Sequence, residues 1–189
     1  MPNKMLIIVD PQNDFISGTL PVAGAEDAML GLCDYLSRNP EKYDLIIVTA
    51  DRHPADHCSF ATLGGQWPVH CVKDSDGAAV FEPLARVLDT CTATTVVIGK
   101  GQNAEREEYS VFTAPENSET IIRLAREHEI DQIDVCGLAG DYCVLATLTD
   151  GIERFGHEPF TVLLPYSPSI DGGTRLADFI TENSLKSEK

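Results

Sequence analysis

Five short apolar runs alternate with amphipathic segments along the chain, and this alternation constrains the fold more than any other feature of the sequence. The runs are rich in β-branched residues and have no polar face, which is typical of the central strands of a parallel sheet. They predict strands at 5–10, 44–51, 94–100, 132–140 and 160–165. The amphipathic segments predict helices at 25–38, 82–89, 118–128, 142–155 and 174–183, with Ser118 as the N-cap of the third. The alternation predicts an α/β fold that is doubly wound, with a mainly parallel central sheet and helices on both faces.

The 189 residues are expected to form a single domain, 1–189, because domains of about 100 to 200 residues are the norm. The last six residues, 184–189, carry no apolar pattern and are predicted to fray. Six cysteines are scattered without the density of a disulfide-stapled secreted domain, so they are expected to be free thiols.

Charge and hydropathy exclude two classes of partner. The net charge is −16 and no basic run is present, which argues against nucleic-acid binding. No stretch reaches the roughly 18 consecutive apolar residues of a membrane span, and the first residues lack a signal-peptide pattern. The sequence therefore predicts a cytoplasmic protein that does not bind membranes. Homo-oligomer formation is left open, since no surface stripe identifies an interface.

Chemically active residues follow four of the predicted strands. Asp10 follows the first strand, Asp51 the second, Lys100 the third, and Cys143 comes shortly after the fourth. Ligands of open parallel sheets bind beyond the carboxyl ends of the strands, so these side chains are expected to converge at one edge. Such a lysine would favour a thiolate, and such an aspartate could accept and return a proton.

Cys143, in the stretch GLAGDYCV, has two interpretations when it is taken alone. It is either a buried apolar plug, as Cys136 in the preceding strand is expected to be, or a nucleophile. Its place in the first turn of the predicted helix favours a low thiol pKa, opposed by the charge of Asp141 as a candidate N-cap. The amides of that turn could also bind an oxyanion, and Gly137 and Gly140 permit a tight backbone there.

The segment after the second strand carries one aspartate and three histidines in close succession. They are Asp51, His53, His57 and His70. One carboxylate with imidazoles is a ligand set for a single divalent transition metal, and it favours zinc, with iron or manganese as alternatives. Surface histidines are the competing interpretation. A second alternative adds Cys58 and Cys71, which would make a closed structural zinc site.

Two long segments without periodicity, 52–79 and 101–117, are predicted to be functional loops. Aromatic residues lie on the loops above the same sheet edge: Phe15, Trp67 and Tyr109. Each could equally belong to the core, and Trp67 is the best candidate for stacking on a flat ring.

Taken together, these motifs resemble the nicotinamidases (pyrazinamidases) of the isochorismatase-like cysteine hydrolases. The matching stretches are DPQNDF (10–15), DRHPADH (51–57), WPVHC (67–71), KG (100–101) and GLAGDYCV (137–144). The resemblance implies a Rossmann-like three-layer domain that hydrolyses nicotinamide, and also pyrazinamide, in NAD salvage. It implies that Asp10, Lys100 and Cys143 are the catalytic triad. Asp51, His53 and His70 would be the core metal ligands, with His57 as a fourth ligand found in some members.

The resemblance also assigns the pocket and the oxyanion hole. Phe15 and Trp67 would flank the pyridine ring, with Tyr109 near them. The backbone N–H groups of Ala139 and Cys143 would form the oxyanion hole, after a cis peptide bond between Leu138 and Ala139.

Two stretches depart from the family pattern. Gly140 stands where threonine is usual, and the stretch 165–173 lacks the sequence motif that is usual in the family. Three rivals remain: a metal-free relative acting on another amide or carbamoyl group, an isochorismatase, and a non-catalytic zinc-binding protein on the same fold. An isochorismatase fits poorly, because those members lack the nucleophilic cysteine.

Overall fold

The computed structural model describes residues 2–188, and strands and helices follow one another in the predicted alternation. The strands are β1 (Lys4–Val9), β2 (Leu45–Asp51), β3 (Thr94–Lys100), β4 (Gln132–Gly137), β5 (Phe160–Leu163) and β6 (Lys186–Glu188). The helices are α1 (Asn13–Ile16), α2 (Ala25–Arg38), α3 (Glu82–Leu88), α4 (Pro115–Glu127), α5 (Leu145–Phe155) and α6 (Thr174–Glu182). A π-helical turn at Gly140–Val144 leads directly into α5.

All the described strands pair in parallel, in the order β3-β2-β1-β4-β5-β6. Because the chain runs outward from β1 in one direction and then returns to β4 beside it, the strand order reverses between these two strands. A crevice opens outside the carboxyl ends of the strands at such a reversal. Asp10 follows β1 and Cys143 follows β4, so the fold itself brings both to this crevice.

Alternate residues of the central strands face two separate cores. Leu6 and Ile8 of β1 pack on the side of α2 and α3, whereas Met5 and Ile7 pack on the side of α4, α5 and α6. All four side chains are fully buried. Helices on both faces of a parallel sheet confirm the predicted fold class.

Two secondary-structure predictions were wrong at the ends of elements. The tail predicted to fray contains β6, which pairs with β5 through Thr161 and Lys186. An edge strand of this kind is stabilised by backbone hydrogen bonds, so it needs no apolar run that a sequence pattern would reveal. Helix α4 begins at Pro115, because proline suits the first helical turn. Ser118 is therefore inside the helix and not its N-cap, and its hydroxyl accepts a hydrogen bond from Arg154.

Within residues 2–188, no helix combines the length and the apolar character needed to cross a membrane. The single domain, 1–189, stays a prediction, and its terminal residues Met1 and Lys189 lie outside the described residues.

Candidate active site

Three of the predicted site residues meet at the bottom of the crevice. The ammonium Nζ of Lys100 lies 2.8 Å from Asp10 Oδ2 and 3.5 Å from Cys143 Sγ. It also donates a hydrogen bond of 2.7 Å to Asp51 Oδ1. Lys100 is only 2% exposed, so this cation depends on the surrounding carboxylates for its stabilisation.

Asp10 is held by the adjacent strand β2. Its backbone has φ +47°, and its N–H donates to the carbonyl and the hydroxyl oxygen of Thr49, each at 3.1 Å. The Thr49 hydroxyl in turn donates to Asp10 Oδ1 at 2.6 Å. The approach of Lys100 to Oδ2 is an ion pair without hydrogen-bond geometry, so Oδ2 keeps a lone pair free to accept a proton.

Burial and the neighbouring charges together set the protonation states of the cluster. It raises the pKa of Asp10 to about 6, although the Lys100 ammonium acts in the opposite direction. Burial opposes the charge of Lys100 too, but Asp10 and Asp51 together hold its pKa well above the usual value. Lys100 is therefore charged at neutral pH.

The sequence left the net shift of the Cys143 pKa open, because the helix start and the charge of Asp141 act in opposite directions. Burial raises the pKa of this thiol well above its usual value; Lys100 lowers it, while Asp10 and Asp51 raise it further. The sequence reveals neither the burial of Cys143 nor the two carboxylates beside one lysine. The resting sulfur is therefore a thiol, and its proton must leave as the sulfur attacks. Cys136, in contrast, is an inert thiol inside the core on the α2 side, as predicted.

The turn that presents Cys143 also leaves an amide free. The Leu138–Ala139 peptide bond is cis, as the resemblance implied. The Ala139 N–H has no backbone acceptor among residues 2–188, whereas the neighbouring Gly140 N–H is used by the Pro168 carbonyl at 2.8 Å. Ala139 and Cys143 both line the pocket. The Ala139 N–H is therefore free to donate into the pocket, and the oxyanion hole itself stays a prediction.

The loop after β5 explains the departure at Gly140. A Cβ atom at this position would lie 2.3 Å from Ser169 Oγ and 2.6 Å from the Ser167 carbonyl. Asp141 is not an N-cap. Its carboxylate accepts hydrogen bonds of 2.9 and 3.0 Å from the backbone N–H groups of Ile170 and Asp171. The two residues thus fasten the unusual stretch 165–173 to the turn that carries Cys143.

We expect Gly140→Ala to destabilise the protein by about 1–3 kcal/mol, because the added methyl group overpacks this contact. Gly31→Ala is a matched control, since its Cβ would lie 3.3 Å from the ring of Tyr166 and alanine favours the interior of α2. The control should cost clearly less than Gly140→Ala, because the contact is with the ring of the half-buried Tyr166 and is longer than those at Gly140. Urea denaturation measures both, and a Gly140→Ala variant as stable as the parent would contradict the packing explanation.

Three of the four predicted metal ligands form one compact group. Potential ligand atoms of Asp51, His53 and His70 all lie within 4.8 Å of one another, and the three residues are buried. His57 stacks on His53 with 4.0 Å between ring centroids, but it falls in a different group, with His53 and Glu107. None of the groups found within residues 2–188 contains Cys58 or Cys71, which disfavours the closed zinc site.

His53 and His70 are oriented as metal ligands usually are. The Nδ1 atoms of His53 and His70 lie 2.8 and 2.7 Å from the carbonyls of Gly101 and Pro68, which fixes each ring and leaves Nε2 to face the cluster. His57 is held differently: its Nδ1 lies 2.7 Å from the hydroxyl of Ser59 and accepts a hydrogen bond of 3.3 Å from the Ser59 N–H. The Nε2 atoms of His53 and His57 are buried without a hydrogen-bond partner among the described residues. A divalent ion would satisfy them, so the residues present fit one.

Gln12, in the first motif, fixes the position of Asp51. Its side-chain amide donates to the Asp51 carbonyl at 2.8 Å and accepts the Asp51 N–H at 2.7 Å. Burial acts to raise the pKa of Asp51, but Lys100 and His53 overcome this and hold it below the usual value. Asp51 is therefore a carboxylate, the form that binds metals.

A cavity opens above Cys143 and the Asp51 group. The three predicted aromatic residues, Phe15, Trp67 and Tyr109, all line it. Trp67 Nε1 donates to the Tyr109 hydroxyl at 3.0 Å, so these two rings support each other. The cavity therefore offers flat apolar walls to a ring and a thiol at its base.

Sequence reasoning missed five residues of this lining: Leu20, Val22, Glu107, Tyr142 and Ile170. Tyr142 was visible beside Cys143, and its ring packs edge-on against Trp67 with centroids 5.0 Å apart. Ile170 had no such signal, since its loop departs from the family pattern. Glu107 was hidden among several acidic residues in the loop 101–114.

Comparison with known proteins identifies the family of the chain. A family model for the isochorismatase domain matches residues 4–162. The chain is 37% identical over 156 residues to a nicotinamidase/pyrazinamidase of Mycobacterium tuberculosis, a match covering 80% of each chain.

Solved structures give the same picture. The chain is similar to the pyrazinamidase of Pyrococcus horikoshii in complex with zinc, with a TM-score of 0.80 and 28% identity, over 100% of this chain and 99% of that one. It is also similar to a yeast nicotinamidase bound to the inhibitor nicotinaldehyde, with a TM-score of 0.83 and 28% identity, over 97% and 98% of the two chains.

Proposed function

Because the chain belongs to the isochorismatase domain family, we propose that it is a cysteine amidohydrolase that converts nicotinamide to nicotinate and ammonia. The observation that carries this proposal is the position of Lys100 Nζ, in contact with both Asp10 and Cys143 below an aromatic-lined cavity. Nicotinamide is a flat ring bearing one carboxamide, and it matches the walls and the base of this cavity. Pyrazinamide has the same shape and is proposed as a second substrate.

In the first half of the reaction, Cys143 gives its proton to Asp10 as the sulfur attacks the carboxamide carbon. The carboxamide oxygen, which gains negative charge, accepts hydrogen bonds from the backbone N–H groups of Ala139 and Cys143. Asp10 then passes the proton to the amide nitrogen, ammonia leaves, and a thioester remains. Lys100 holds Asp10 in place and stabilises negative charge that develops on the sulfur.

In the second half, water attacks the thioester carbon and gives a proton to Asp10. The carbon–sulfur bond breaks, the proton on Asp10 returns to the Cys143 sulfur, and the acid product loses its remaining proton to solvent as nicotinate. One water is consumed and one ammonia released in each cycle. Releasing nicotinate from nicotinamide suits a role in NAD salvage, which we also propose.

Asp51, His53 and His70 would hold a divalent ion, for which zinc is the first candidate and iron or manganese the alternatives. When bound, the ion would supply a Lewis acid for the pyridine nitrogen and for water. Phe15, Trp67 and Tyr109 would flank the ring. Together these contacts would place the carboxamide against Cys143.

Removal of the metal tests this assignment. We expect chelator-treated protein to lose at least about 100-fold in ammonia release from nicotinamide, because ring positioning contributes strongly to the rate. Adding back Zn²⁺, Mn²⁺ or Fe²⁺ should restore it. Full activity of a preparation that elemental analysis shows to be free of metal would contradict the proposal. It would favour the rival that acts on another amide or carbamoyl group without a metal.

A further inference from the structure

A second group of potential ligands adjoins the Asp51 group, and the family resemblance did not predict its acidic member. Single ligand atoms of His53, His57 and Glu107 lie within 4.8 Å of one another. Glu107 comes from the loop 101–114, whereas both histidines come from the loop after β2. Glu107 also lines the cavity with Cys143, so it faces the reacting centre.

The buried imidazoles give independent support for a ligand at this place. His53 Nε2 and His57 Nε2 are enclosed without a hydrogen-bond partner among residues 2–188, which is costly for a polar atom. His57 is fully buried, and its other ring nitrogen is engaged by Ser59. A group bound between His57 and Glu107 would satisfy this otherwise unpaired nitrogen.

The two groups share His53, and this limits them to one ion. An imidazole nitrogen has a single lone pair, and Nδ1 of His53 is already bonded to the Gly101 carbonyl. Nε2 can therefore serve one ion at a time. The Asp51 group and the Glu107 group cannot each hold a separate ion through His53. We therefore treat them as two sets of ligands, or faces, around one ion.

We propose that His57 and Glu107 form the second face of the metal site and bind the same single ion as Asp51, His53 and His70, directly or through its water ligands. This inference rests on the metal ion of the proposed function. It adds Glu107 as a metal-binding residue of this chain.

The test measures metal binding to the full-length protein and not only activity. Zn²⁺ affinity is determined by competition with a chromogenic chelator, and the Co²⁺ absorption spectrum reports the ligand field. Glu107→Gln keeps the size of the side chain and removes its charge. We expect it to weaken Zn²⁺ binding by about 10- to 100-fold and to change the Co²⁺ spectrum, with one ion per chain in both proteins. His57→Gln should weaken binding in the same way.

Glu105→Gln is the matched control, because Glu105 is exposed on the same loop and should leave affinity and spectrum unchanged. A Glu107→Gln variant with parental affinity and spectrum would overturn the inference and leave the proposed function standing. A second bound ion that disappears in this variant would also overturn it. If the parent protein binds no Zn²⁺ or Co²⁺, the metal part of the proposed function fails and the inference fails with it.

Discussion

Replacing Cys143 with alanine is expected to lower ammonia release from nicotinamide by about 10⁴- to 10⁶-fold, because no other group can form the thioester. Cys143 lies 3.5 Å from Lys100 and lines the cavity below its aromatic walls. The variant should still bind one divalent ion, since Asp51, His53 and His70 are untouched. A steady-state ammonia assay and a metal titration on the same preparation measure both properties.

Cys136→Ala provides the matched control. Both thiols are buried and belong to the same segment of chain, but Cys136 packs among apolar side chains on the other face of the sheet. We expect its removal to cost about 1 kcal/mol of stability through a small cavity and to leave turnover near the parental value. If Cys143→Ala still deamidates nicotinamide, the cysteine has no part in the proposed mechanism and is a buried apolar residue.

The parts of this molecule that could be predicted from sequence are those set by regular periodicity. Apolar runs of β-branched residues identify β1 to β5, and a parallel sheet then places Asp10, Lys100 and Cys143 at one edge. The residues at strand ends can therefore be predicted before any side-chain geometry is known. The strand β6 could not be predicted, since Lys186 and its neighbours contribute backbone hydrogen bonds and no apolar pattern.

The parts that could not be predicted depend on contacts between loops. Glu107 approaches His53 only because the loop 101–114 folds back over the segment after β2, and no local pattern records this approach. The absence of a side chain at Gly140 is explained by Ser169 and the Ser167 carbonyl, which belong to a loop much further along the chain. The pKa of Cys143 likewise depends on burial and on two carboxylates brought from other strands.

Lys100→Met is expected to produce the largest loss of stability, about 3–5 kcal/mol, together with loss of turnover. Lys100 is 2% exposed and lies between Asp10 and Asp51, so its removal leaves two buried carboxylates without their cation. Methionine fills a similar volume, which separates the loss of charge from the loss of packing. Lys73→Met, at an exposed position, is the matched control and should change stability by less than about 0.5 kcal/mol.

A second substitution identifies the cause of the expected loss. In the Lys100→Met and Asp10→Asn double variant, one of the uncompensated charges is gone, so urea denaturation should show part of the stability restored. Ammonia release should stay absent, because Asp10→Asn removes the only carboxylate proposed to carry the proton, and a side-chain amide cannot take that proton from the thiol. A double variant no more stable than Lys100→Met would show that the ammonium does not stabilise the fold by pairing with Asp10. Recovery of turnover in the double variant would remove Asp10 from the proton transfers, since the proton would then have to reach the leaving nitrogen by another route.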